Sequence, residues 1–170
     1  MKLVGIVVLA GLCLWCGDAC SSEIRLAADR IETLADPQNS SSEWVLIHFN
    51  LPTEINQARI VRATLWCSVD CPDGGGAFAE IHPMSIDWYS KEIPTSLTNS
   101  YDEKEAVSFQ SGDCSSRLLR FEVSRWVRAW ASGGKTNYGL LIRSITGAGS
   151  LRPVSTDELP APELRITTME

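Results

Sequence analysis

Only two histidines, His48 and His82, occur in this chain of 170 residues. The sequence also lacks Gly-x-Ser-x-Gly, a phosphate-binding glycine loop and His-Glu-x-x-His. Catalysis needs a constellation of that kind, and nothing in the chain calls for the paired carboxylates of a glycosidase, so the sequence points away from an enzyme. Long apolar runs are scarce as well. The one candidate, Leu3 to Cys16, is about 14 residues, short of the roughly 20 that cross a bilayer. A basic excess is missing, with 15 Lys+Arg against 21 Asp+Glu and a net charge of −6. Nucleic acid is therefore excluded as a partner, since its binding requires several phosphates to be neutralised together. There is no internal repeat and no low-complexity tract.

The N-terminus carries Lys2, the apolar run and the small residues around Gly17-Asp18-Ala19. This pattern reads as a secretory signal over residues 1–20, which leaves 21–170 as one domain at the cell surface or outside the cell. Lys2 and Asp18 leave together, so the charge stays at −6. Cys20, as a new N-terminus, would be a lipid-anchor position. Of the six cysteines, Cys13 and Cys16 lie in the signal, and Cys67, Cys71 and Cys114 are disulfide candidates whose pairing stays open. A zinc site would draw on the same three with His82, although no second paired motif accompanies them. Asp70 and Asp73 flank the Gly74-Gly75-Gly76 loop and are candidate calcium ligands without EF-hand spacing.

Turn signals separate short apolar-alternating stretches, the pattern of an antiparallel sandwich. Val45, Ile47, Phe49 and Leu51 alternate with Trp44, Leu46, His48 and Asn50. Val61, Ala63, Leu65, Cys67 and Val69 alternate with Arg62, Thr64, Trp66 and Ser68. Leu119, Phe121 and Val123 continue the pattern, and Leu164 and Ile166 close it. The expected architecture is all-β, a jelly-roll-like sandwich of about eight strands, with residues 90–105 as a polar, exposed excursion.

One short helix interrupts the strands. Ser124 is placed to cap it, Trp126 and Trp130 share one face four residues apart, and Ser132-Gly133-Gly134 stops it, which bounds the helix near 124–131. Both tryptophans are expected in the core. Asn137 is expected to organise the turn into a strand in which Tyr138, Leu140 and Ile142 alternate with Gly139, Leu141 and Arg143.

This helix, ending in Trp-x-x-Gly and running into Asn137-Tyr-Gly139-Leu, resembles a segment of secreted DNRLRE-type β-sandwich domains. Those domains are related to carbohydrate-binding modules that include alginate binders. The stretches 45–52, 58–65, 86–92 and 155–166 resemble further pieces of the family in the same order. The motif behind the family's name is absent, and the N-terminal run is shortened to residues 24–42. The resemblance implies a non-catalytic jelly-roll domain that binds an extracellular polysaccharide. A structural or adhesive envelope domain without a saccharide site is the alternative.

Sugar binding relies on flat aromatic faces bordered by hydrogen-bonding groups. Trp66, Trp88, Tyr89 and Tyr101 are the candidates, and because Trp88 and Tyr89 are adjacent, at least one of them faces away from the core. His48 and His82 read as structural histidines on strands. A polyanion such as alginate becomes a candidate if four or five arginines line one face. The arginines at 59, 62, 117, 120, 125, 128 and 143 are scattered, and local geometry sends the run 117–128 in different directions.

Overall fold

The computed structural model describes residues 21–35, 43–57, 59–70, 78–91, 93, 97, 99–110, 118–146, 152–153 and 161–169. The strands are β1 (Ser21–Ala27), β2 (Arg30–Ala35), β3 (Glu43–His48), β4 (Arg59–Asp70), β5 (Phe78–Pro83), β6 (Val107–Gln110), β7 (Leu118–Glu122), β8 (Leu140–Thr146), β9 (Arg152–Pro153) and β10 (Glu163–Met169). A 3-10 turn covers Thr53–Gln57, and helix α1 covers Ser124–Ala131, on the expected boundaries. Residues 1–20, Cys71, Asp73 and Cys114 lie outside the described residues. Among those described, no helix is long and apolar enough to cross a membrane.

Two antiparallel sheets form the sandwich. The front sheet runs β1-β10-β4-β7, with β9 pairing the far end of β4, and the back sheet runs β2-β3-β8-β5-β6. With β2 and β9 set aside, eight strands remain. Numbered in chain order, the front sheet reads first-eighth-third-sixth and the back sheet second-seventh-fourth-fifth. That is the winding of a jelly roll, in which the chain crosses between the sheets at every step except from the fourth strand to the fifth, and the first strand lies beside the last. The expected antiparallel sandwich holds; ten strands are described against about eight expected, the additions being β2 at the edge beside β3 and the two-residue β9 beside β4.

The alternating patterns place the core. Val45, Ile47, Ala79, Ile81, Leu140 and Ile142 of the back sheet face Ala63, Leu65, Cys67, Leu119, Phe121, Leu164 and Ile166 of the front sheet, all buried. Ile24 and Leu26 of β1 pair with Ile166 and Leu164, so the first strand closes on the last. Helix α1 plugs one end, with Trp126, Val127, Trp130 and Ala131 in the same cluster. Gly133, at φ +72°, supplies the left-handed residue past its C-terminus.

Ser124 behaves differently from its expected role as cap. The residue before the helix is Val123, no side chain caps the N-terminus, and Ser124 is the first helical residue. Its Oγ accepts the Ala63 N–H at 2.6 Å, while Val123 N–H donates to the Ala63 carbonyl at 2.9 Å. β7 leaves β4 at this point, so the two residues complete the backbone bonding of a strand whose neighbour has turned away.

The back sheet is covered on both sides. Its outer face presents Trp44, Leu46 and Leu141, which pack with Met84, Trp88, Leu97 and Tyr101 in a second buried cluster. The excursion expected to be exposed is therefore partly a cover. Met84 bridges to Tyr101, and Ser85 N–H donates to the Ser100 carbonyl at 2.8 Å. His82 fastens it, with Nδ1 at 3.1 Å from the Asp102 carbonyl and Nε2 at 3.2 Å from Glu80. The physical reason is the strand itself: Trp44-Val45-Leu46-Ile47 is apolar on both faces, and such a strand must be buried on both.

Candidate functional site

The structure divides the four candidate aromatics. Trp88 is fully buried, its Nε1–H donating to the Tyr138 carbonyl at 2.6 Å. Tyr101 is buried too, edge-on to Trp44 at 5.9 Å, and its hydroxyl accepts from Arg143 at 2.8 Å. Neither offers a face to a ligand, which corrects their assignment as sugar contacts: the apolar outer face of the back sheet claims both rings. Tyr89 is exposed, and Trp66 is half-buried on the outer face of the front sheet.

Other candidates resolve on the same terms. Cys67 is a free thiol buried in the core, where desolvation pushes its pKa far up, so it acts as a small apolar side chain rather than a disulfide half. His82 has both ring nitrogens engaged within the protein and none for zinc. Asp70 ends β4, its backbone paired with Arg152, and no cluster of three metal-ligating side chains occurs among the described residues.

The outer face of the front sheet carries the strongest arrangement. Strand alternation that sends Leu65, Leu119 and Leu164 inward sends Trp66, Arg120 and Arg165 outward. Trp66 pairs across β4–β7 with Arg120 and across β4–β10 with Glu163. The Arg120 and Arg165 guanidinium carbons lie 4.0 Å and 3.8 Å from the centroid of the indole. Because β7 and β10 flank β4, the two cations reach the ring from opposite sides. Cation–π contact of this kind contributes ~0.5–1 kcal/mol at exposed sites and fixes where each guanidinium sits.

Around this centre a groove of about 160 Å³ is lined by Glu23, Arg62, Thr64, Trp66, Arg120, Arg165 and Thr167. Arg25 stands opposite Arg165 in the β1–β10 register. Four arginines thus share one sheet face. Three carry a carboxylate partner, Arg25 on Glu23 at 2.7 Å, Arg62 on Glu122 at 3.0 Å, and Arg165 on Glu163. Arg120 has none among the described residues, so its charge is held only by the indole. Of the scattered arginines, Arg125 lies over Trp126 and Arg128 donates to the Ile60 and Val61 carbonyls, so those two do turn elsewhere.

Sequence reasoning missed Arg25 and Arg165. Their signal was available, since Glu23-Ile24-Arg25-Leu26 and Glu163-Leu164-Arg165-Ile166 alternate charge with apolar side chains.

Two other surface features are less suited to a charged ligand. A cleft of about 230 Å³ lies between Pro83, Met84, Trp130 and Tyr138, bordered by Asp102 and Lys135. Its charges are already bonded, Lys135 to Glu105 at 2.8 Å and Asp102 to the Lys104 N–H at 3.1 Å. At the edge of the back sheet, Asp29, Arg30 and His48 gather around the turn Asp87–Ser90. His48 Nδ1 lies 2.9 Å from Asp29, and its ring stacks on Tyr89 at 4.1 Å. Compared with known proteins, the chain matches no family model and no curated protein.

Proposed function

We propose that this protein is a secreted, non-catalytic jelly-roll domain that binds an acidic extracellular polysaccharide on the outer face of the front sheet. The observation that carries the reading is the Arg120–Trp66–Arg165 stack on an open sheet face. With the Arg120 and Arg165 guanidiniums 4.0 Å and 3.8 Å from its ring centroid, Trp66 serves as an anchor for two cations rather than as a platform for a pyranose. Guanidinium is the side chain best matched to carboxylate and sulfate, because its planar fork donates two parallel hydrogen bonds. Thr64 and Thr167 in the same groove add hydroxyls that suit a sugar chain.

The overall charge of −6 argues against general polyanion binding and for a local site. The signal-like N-terminus supports an extracellular setting, and the resemblance to DNRLRE-type domains supports a saccharide ligand. The test is retention on immobilised acidic and neutral polysaccharides, with and without calcium. Retention on an acidic chain that weakens as salt is raised is the expected result. Retention on no acidic polysaccharide would leave a structural or adhesive envelope domain as the reading.

A further inference from the structure

Tyr89 is the only aromatic among the exposed large hydrophobic side chains of the described residues, at 41% exposure. An exposed tyrosine is ordinary, but this one is held from several directions. His48 stacks on one face, with ring centroids 4.1 Å apart and planes 18° apart. The phenol faces the Asp29 carboxylate, whose negative charge, with a hydrogen bond, raises the Tyr89 pKa. Asp29 is in turn fixed by His48 Nδ1, at 2.9 Å and 3.2 Å from its two oxygens.

The backbone beneath the ring is pinned as well. Arg30 Nη1 donates to the Trp88 and Tyr89 carbonyls, with the guanidinium 5.3 Å from the buried Trp88 ring. Asp87 accepts from the Ser90 N–H at 2.9 Å and from its hydroxyl, closing the turn. One ring face is taken by His48, so the exposure of Tyr89 belongs to its other face and edge. The rotamer freedom that a ligand would have to freeze is already lost.

From this geometry we infer a second binding site, in which the open face of Tyr89 stacks on an uncharged pyranose residue. The polar groups beside the ring select the ligand. His48 Nδ1 is engaged by Asp29, and the other imidazole nitrogen has no hydrogen-bond partner among the described residues. A carboxylate and an imidazole nitrogen next to an aromatic face offer polar partners to a flat, hydroxyl-rich sugar, and the carboxylate repels a uronate. The arginine face has the opposite preference, so this site is independent of the proposed polyanion contact.

The test is a proton NMR titration of the protein with cellohexaose, maltohexaose and mannohexaose, compared with chitosan hexamer as a cationic probe and an oligoguluronate as an anionic one. At least one neutral hexamer is expected to shift the Tyr89 ring protons. Tyr89→Ala is expected to weaken that neutral hexamer about tenfold, the upper range of an aromatic contact, with the circular-dichroism spectrum of the folded protein retained. Tyr89→Phe keeps the ring and loses the Asp29 anchor, so it should retain part of the affinity. Arg120→Ala should leave the neutral titration as it is while impairing the anionic one. Silence with all three neutral hexamers, or a response confined to the chitosan or guluronate probe, would overturn the inference.

Discussion

Gly139 lies so close to Ile47 that a Cβ built on it would sit 2.4 Å from the Ile47 carbonyl oxygen, against backbone that cannot swing aside. Its φ of +84° is also one that L side chains rarely adopt. Asn137 shapes this approach: its Nδ2 donates to the Phe49 carbonyl at 2.7 Å and its Oδ1 accepts the Gly139 N–H at 3.0 Å. The Asn137-Tyr-Gly139 sequence is thus a backbone latch between β3 and the entry to β8. Gly139→Ala should cost more than about 2 kcal/mol in urea unfolding, from the left-handed backbone and the clash together. A change below about 0.5 kcal/mol, typical of an innocuous surface site, would contradict the latch.

Trp88→Ala should destabilise the protein by ~3–5 kcal/mol, the usual cost of emptying a buried tryptophan site. Trp88 fills the cluster beneath the 84–106 segment and donates to Tyr138. Unfolding followed by fluorescence and by circular dichroism should show the loss. Native stability with altered sugar binding would instead return Trp88 to the surface.

Ser124→Ala removes the acceptor of a buried N–H, that of Ala63. The expected cost is ~1–3 kcal/mol, accompanied by faster hydrogen exchange at the Ala63 amide while the α1 amides keep their protection. Fraying at the start of the helix without a change at Ala63 would mean that Ser124 acts as a cap after all.

Glu105 supplies a modest pH dependence. The Lys135 ammonium bonded to it, and then the Trp126 indole N–H at 2.9 Å, hold its carboxyl below the usual glutamate range. A depressed folded-state pKa stabilises the protein above the unfolded-state value, and that gain is lost as pH falls through the folded one. The carboxylate is about one-third exposed, so screening limits the effect to ~0.2–1 kcal/mol. Glu105→Gln should flatten this part of the acid limb of stability against pH, and an unchanged limb would contradict the assignment.

The helix was legible residue by residue, because two tryptophans four apart and a Gly-Gly stop are local signals. The sandwich was legible as a class, from alternation along β3, β4, β7 and β10. What the sequence hid was long-range. Tyr101 and Leu97 read as parts of a polar excursion because their partners, Trp44, Leu46 and Leu141, lie far away in the chain. The arginine face was hidden similarly: Arg165 meets Trp66 only because the last strand inserts between the first and the fourth. Ser124 carried a correct local propensity that a tertiary contact overrode.

The arginine face is tested most directly by binding of the protein to an alginate column at low and high salt, alongside Arg120→Ala. Arg120 is the cation on this face without a carboxylate partner among the described residues, and it is exposed, so its removal should spare the fold. Retention at low salt, release as salt rises, and earlier release of the variant with an unchanged unfolding midpoint are the expected results. Equal retention of the variant and the parent, or passage of both without retention at low salt, would contradict the assignment of this face as the binding site.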